Sequence, residues 1–186
     1  MTLSLEAAFT GLVSLIVAGT QAAGPDWTVF LRRVGPLSVG TPISEVRSII
    51  GDPSAYLVQA LHQNQTLPRQ SDEAPCAYLV TPKVPEQIGL MFQRGRLVRV
   101  DVWKPGIRTT GGAQVGDTEA RILELYGPSI KVTPHHYPPA GAHYLIFTPA
   151  AEADRDYQML FETDGATVTR FRVGLRAAVG SVEGCA

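Results

Sequence analysis

Gly35-Pro36-Leu37-Ser38-Val39-Gly40-Thr41 and Gly111-Gly112-Ala113-Gln114-Val115-Gly116-Asp117 lie 76 residues apart and can be laid over one another without a gap. The correspondence runs on. Val46, Ile49 and Ile50 fall on Ile122, Leu125 and Tyr126, Gly51 falls on Gly127, and Pro53 and Pro128 follow close behind. Both copies spell a short helix with its punctuation. Thr41 or Asp117 offers a side-chain oxygen to the free N–H groups of the first turn, and Pro42 suits the first helical position. Glycine then takes the left-handed conformation that ends a helix. Apolar residues three and four apart place one face of each helix on a core.

Beyond each helix the period changes from helical to alternating. The first copy offers Cys76 to Val80, Ile88 to Phe92, a turn at Arg94-Gly95, and Leu97 to Val102. The second offers His143 to Thr148, Gln158 to Glu162, a turn at Asp164-Gly165, and Thr167 to Val173. Asp-Gly between apolar runs is a strong hairpin signal. The expected fold is α+β: two tandem helix-plus-three-strand repeats, residues 24–107 and 108–186, forming one antiparallel sheet with both helices on one face. The second repeat carries a C-terminal tail. The polar, proline-containing segment from Gln63 to Pro75 reads as a loop, and Asn64-Gln65-Thr66 within it as a chance match to a glycosylation sequon.

Residues 1–23 read as a signal peptide. The run from Ala7 to Ala18 is apolar, and Thr20-Gln21-Ala22-Ala23 supplies small residues for a peptidase. About a dozen apolar residues are too few to cross a bilayer of roughly 30 Å as a helix, although a retained anchor is the alternative. The leader departs from the usual pattern in having Glu6 and no Lys or Arg. The mature chain is therefore expected in the periplasm or secreted, without stable membrane insertion. Formal net charge is −1 and no segment runs basic, so neither nucleic acid nor an anionic membrane surface is favoured as a partner. The two cysteines, Cys76 and Cys185, most simply form one disulfide in an oxidising compartment; two free thiols or an unpaired nucleophile are the alternatives. A bridge closing so long a loop contributes about 3–5 kcal/mol in the chain-entropy model.

A leader, then a helix introduced by Val-Gly-Thr or Val-Gly-Asp, closed by Ile-Gly-Asp-Pro or Tyr-Gly-Pro and followed by strands, resembles the secreted beta-lactamase-inhibitor protein family. It is similar also to the small outer-membrane assembly lipoproteins of the SmpA/OmlA (BamE-like) type, which carry one such unit. The chain lacks the lipid-bearing cysteine of the latter. The resemblance implies a non-enzymatic, protein-binding role outside the cytoplasm and assigns no individual residue.

Strand alternation gives a separate route to a surface. If Val98, Val100 and Val102 pack under the helices, Arg99, Asp101 and Trp103 point away from them. In the second copy Phe171 and Val173 turn inward while Arg170 and Arg172 turn out, and Arg99 matches Arg170 once a one-residue insertion is allowed. An open sheet face carrying these residues with Tyr78 and Tyr144 has the side chains that dominate binding hot spots; the plainer alternative is a solvated face whose arginines pair with Asp101 and Glu162. Enzymatic chemistry has one weak candidate, a metal site at His135, His136 and His143, whose spacing matches no established zinc motif. No nucleophile elbow or phosphate-cradling glycine loop is present in the sequence, and no catalytic residue or cofactor is expected. The favoured reading is an exported, non-enzymatic module that binds another extracytoplasmic protein. A cell-envelope structural or assembly factor is the alternative, ahead of a metal-dependent enzyme.

Overall fold

Gly40 and Gly116, which anchor the internal correspondence, have φ of 96° and 94° in the computed structural model, which describes residues 26–50, 56–58, 76–137 and 140–185. These conformations suit glycine, and each glycine leads the chain into an equivalent set of backbone bonds. Gly40 N–H donates to Leu97 O at 2.7 Å, Leu97 N–H to Thr41 O at 3.0 Å, and Ile43 N–H to Gly95 O at 2.8 Å. Around the second glycine, Gly116 donates to Val168 O at 2.8 Å, Val168 to Asp117 O at 2.8 Å, and Glu119 to Ala166 O at 3.1 Å. Each set ties the start of a helix to a hairpin turn some 50 residues further along the chain.

The helices are α1 (Ile43–Ile50) and α2 (Glu119–Tyr126). Their first turns close by Val46 N–H to Pro42 O and Ile122 N–H to Thr118 O. The cap of α2 is Thr118, whose hydroxyl accepts from Arg121 N–H at 3.1 Å, and not the expected Asp117. Asp117 instead closes the preceding turn by accepting from Gln114 N–H at 2.8 Å. Gly127 ends α2 at φ 53°. Its counterpart Gly51 lies outside the described residues, as do the leader and the segment from Gln63 to Pro75.

Among the described residues eight antiparallel strands form the main sheet: β4 (Tyr56–Val58), β5 (Cys76–Val80), β6 (Ile88–Gln93), β7 (Arg96–Val102), β8 (Ile130–Pro134), β9 (His143–Phe147), β10 (Tyr157–Thr163) and β11 (Val168–Leu175). Their order is β4-β5-β6-β7-β11-β10-β9-β8, so β7 and β11 pair at the centre. The architecture is thus mixed α+β with an antiparallel sheet. Edge strands β4 and β8 were not expected. β8 falls in a proline-containing stretch without alternation of burial, and Pro134 is tolerated because it ends an edge strand. A separate three-stranded sheet of two-residue strands, β1 (Val29–Phe30), β2 (Arg33–Val34) and β3 (Leu37–Ser38), packs Val29, Val34 and Leu37 into the core. Val29 also bonds to the chain at Arg108 and Thr110, between the two halves of the sheet.

Both β-hairpins at the heart of the sheet carry the same irregularity. In β6–β7 the register passes from Met91↔Arg99 to Phe92↔Leu97, leaving Val98 extra; in β10–β11 it passes from Glu162↔Arg170 to Thr163↔Val168, leaving Thr169 extra. Such a bulge reverses the facing of the residues before it. Leu97 therefore joins Val100 and Val102 on the helix side, whereas Val98, expected there, packs with Tyr78 and Met91 on the other. Gly174 faces Arg99 across the central pair at φ 143°, where an added Cβ would fall 2.2 Å from Val98 O.

One core runs under both helices. Ile43, Val46 and Ile50 of α1 and Ile122 of α2 share it with Leu79, Leu90, Val100, Leu145, Phe161, Phe171 and Val173 of the sheet. Tyr126 closes its end between Phe147 and Phe161, with ring centroids 5.2 and 5.7 Å away. A third helix, α3 (Arg176–Gly180), follows β11 directly and lies on the opposite face. Beyond α3 the described residues run to Cys185, which is bonded to Cys76 at the start of β5.

Candidate functional site

The expected surface residues do share the sheet face away from α1 and α2, but that face is not open. Residues 176–185 cross it as a strap, and Tyr78, Arg99, Asp101, Tyr144 and Arg172 are all buried beneath. Only Trp103, partly exposed, and Arg170, half exposed, reach solvent. Alternation along a strand assigns a face; it carries no information about what a later segment of the chain lays over it.

Arg99 is the centre of one polar cluster. Its Nε donates to Asp101 Oδ2 at 2.9 Å, Nη2 to Tyr78 Oη at 2.7 Å, and Nη1 to the carbonyl oxygens of Ala178 and Ser181 at 2.8 and 2.7 Å. Tyr78 Oη in turn donates to Asp101 at 3.2 Å. Burial acts against the Arg99 charge, yet Asp101 and Tyr78 together outweigh it and hold the guanidinium above its ordinary value. Burial, then Asp101, pushes the Tyr78 phenol well above the usual tyrosine range.

Glu162 is the centre of the second cluster. Burial favours its neutral form, but Arg172 and then Arg170 outweigh burial and hold the carboxyl below the usual glutamate range. It accepts from Arg172 Nη1 and Arg170 Nε, and His135 Nε2 stands 3.3 Å away. Arg172 Nε donates to Val179 O at 2.6 Å. Two buried polar atoms here have no partner among the described residues, Arg172 Nη2 and Tyr144 Oη. Burial depresses the Arg172 charge below its ordinary value, only partly offset by Glu162.

The histidine alternative fails on geometry. His135 stacks on Tyr144 at 4.3 Å and meets Glu162; exposed His136 lies edge-on to Tyr137; His143 Nδ1 is 2.9 Å from Glu119 Oε1, a carboxylate that also accepts from Thr163. The three rings serve three separate places, and no three metal-ligating groups converge among the described residues.

A cleft of about 640 Å³, not expected from the sequence, lies at one end of the sheet. Both tryptophans of the chain line it, with Pro82, Pro85, Lys83 and Glu86. Trp103 lies across Gly89, where an added Cβ would meet its ring at 2.4 Å, and its Nε1 donates to Glu86 O at 2.8 Å. Trp27 rests on Gly35 in the same way at 3.0 Å. Each ring is thus fixed against a glycine and turns a flank to the cleft. The two tryptophans lie 76 residues apart, the offset of the internal correspondence, but matching positions in two copies give no sign that the side chains meet. Volume and apolar lining fall in the range of sites that take a small ligand or a few side chains of a partner. No helix among the described residues is long and apolar enough to cross a membrane. Comparison with known proteins finds no matching family model, no matching curated protein and no matching solved structure.

Proposed function

We propose that the chain is an exported, non-enzymatic module that binds another extracytoplasmic protein through the Trp27–Trp103 cleft, on a scaffold of two tandem helix-plus-strand repeats. The observation that carries the binding reading is that both tryptophans line one cleft, each held by a glycine beneath it. Tryptophan offers a large contact area at little conformational cost, which is why it dominates hot spots. The partner would present an apolar segment to the rings and a carboxylate to Lys83, whose ammonium has no ion-pair partner among the described residues. The repeat reading is supported by the matched bonds at Gly40 and Gly116 and the matched bulges at Val98 and Thr169. Residence outside the cytoplasm is supported by the Cys76–Cys185 disulfide.

The test is capture of extracytoplasmic proteins on the immobilised full chain, read by mass spectrometry, against a Lys83→Glu chain. Retention of a partner by the parent and its loss from Lys83→Glu is the expected result. That partner should also change the intrinsic tryptophan fluorescence, since both fluorophores line the cleft. An empty list, or a partner held equally by both chains without a fluorescence change, would remove the cleft as the binding surface.

A further inference from the structure

The strap is an unusual cover. It brings little apolar surface to the sheet, chiefly Ala178, Val179 and Cys185, and lies over four ionised side chains, Arg99, Asp101, Glu162 and Arg172. Taking charges out of water opposes closure unless hydrogen bonds replace the water. Those bonds are backbone carbonyls: Ala178 and Ser181 on Arg99, Val179 on Arg172. Gly184 sits against Tyr78, where an added Cβ would come within 2.9 Å of its hydroxyl, and Glu183 accepts from Tyr137. The fit is complete over Arg99 and incomplete over Arg172, whose Nη2 is left without a partner together with Tyr144 Oη. The strap is continuous with β11 at one end and bonded to β5 through Cys185 at the other.

We propose that Arg99 and Arg172 form a latent binding surface for the carbonyl end of a partner protein's helix, occupied in cis by residues 176–185 and freed when the Cys76–Cys185 bond opens. A partner fits this surface better than the strap does if it supplies acceptors for Arg172 Nη2 and Tyr144 Oη. Opening requires a dithiol reductant. Its thiolate attacks one sulfur, the Cys76–Cys185 bond breaks, a second thiolate completes the exchange, and two protonated cysteines remain beside one new disulfide in the reductant. This surface is separate from the tryptophan cleft, and the proposal stands or falls apart from it.

Hydrogen exchange on the full chain, oxidised and after treatment with a dithiol, tests the latch. Reduction should speed exchange of the amides in 177–185 at least about tenfold while β7, β10 and β11 keep their protection. Unchanged strap protection would overturn the proposal, and so would loss of strap and sheet protection together, because the bond would then hold the fold and not the strap. Recognition is tested on the full chain carrying Val179→Lys and Cys185→Ser, in which a cation set against Arg172 keeps the strap from redocking. A labelled synthetic peptide of residues 175–184 should bind this chain and bind at least about tenfold more weakly once Arg172→Gln is added. Absence of binding to a chain whose sheet exchange is intact, or binding indifferent to Arg172→Gln, would overturn it.

Discussion

The β5–β7 half of the sheet and the β9–β11 half share matched bonds at Gly40 and Gly116 and matched bulges at Val98 and Thr169, and carry opposite solutions on the face beneath the strap. One cross-strand row reads Tyr78, Met91, Arg99; the row in the same place of the other half reads Tyr144, Glu162, Arg170. Next along the central pair, Asp101 stands across from Arg172. In the first half the arginine is buried, its carboxylate lies two residues along the same strand, and the middle of the row is apolar under Ala178 and Cys185. In the second the carboxylate occupies the middle of the row, the arginine beside it is half exposed, and Arg172 supplies the buried charge. Frame and face are therefore separable: turns and bulges set the first, and the passage of the C-terminal strap sets the second.

Removing the middle residue of each row should break the symmetry most. Glu162→Gln takes the counter-charge from buried Arg172 and should cost about 3–5 kcal/mol in urea unfolding, as expected when one partner of a buried pair is lost. Met91→Leu, in the same place of the other row, should cost less than about 1.5 kcal/mol. Similar costs would show that Glu162 is solvated and the second cluster is not closed.

The arginines sharpen the same contrast. Arg99→Met strands Asp101 and two strap carbonyls and should cost about 2–4 kcal/mol, whereas Arg170→Met gives up a half-exposed pair and should cost less than about 1 kcal/mol. At the frame itself the halves should behave alike. Gly40→Ala and Gly116→Ala force a side chain into matching positive-φ positions and should each cost about 1–3 kcal/mol by the same assay. A large cost at one and none at the other would break the match of frames.

That frame was legible because it rests on local chemistry. The glycines, the apolar spacing of both helices and the Arg94-Gly95 and Asp164-Gly165 turns all act within a few residues, and five of the six expected sheet strands agree with the structure to within one residue at each end, the last running two residues longer. β8 and the two-residue strands β1–β3 were not legible, since they are too short or too irregular to show a period. Val98 was assigned to the wrong face because a bulge adds a residue without altering the alternation of residue types. The face itself was assigned correctly for Tyr78, Arg99, Asp101, Tyr144 and Arg172, and its exposure was not. Small residues such as Ala178, Val179 and Gly184 give no hint in the sequence that they will settle over four charges. The tryptophan cleft was hidden for the same reason, being made by residues distant along the chain.

The smallest expected effect is in acid. Glu162 is held below its ordinary value in the folded chain, so its contribution to stability is fully present above the unfolded-state value and is lost as pH falls through the lowered folded one. Urea midpoints of the parent should therefore decline below the ordinary glutamate range more steeply than those of Glu162→Gln, which lacks the group.

Chemical modification of arginine by a dicarbonyl reagent, mapped by mass spectrometry on the native oxidised chain, asks most directly whether the polar face is covered. Arg94, Arg155 and Arg170 are exposed and should react readily, while Arg99 and Arg172, each about 3% exposed or less, should remain unmodified as long as the chain stays folded and oxidised. Reaction of Arg99 and Arg172 at the rate of Arg170 would contradict the account, for it would mean that the strap does not lie over the sheet.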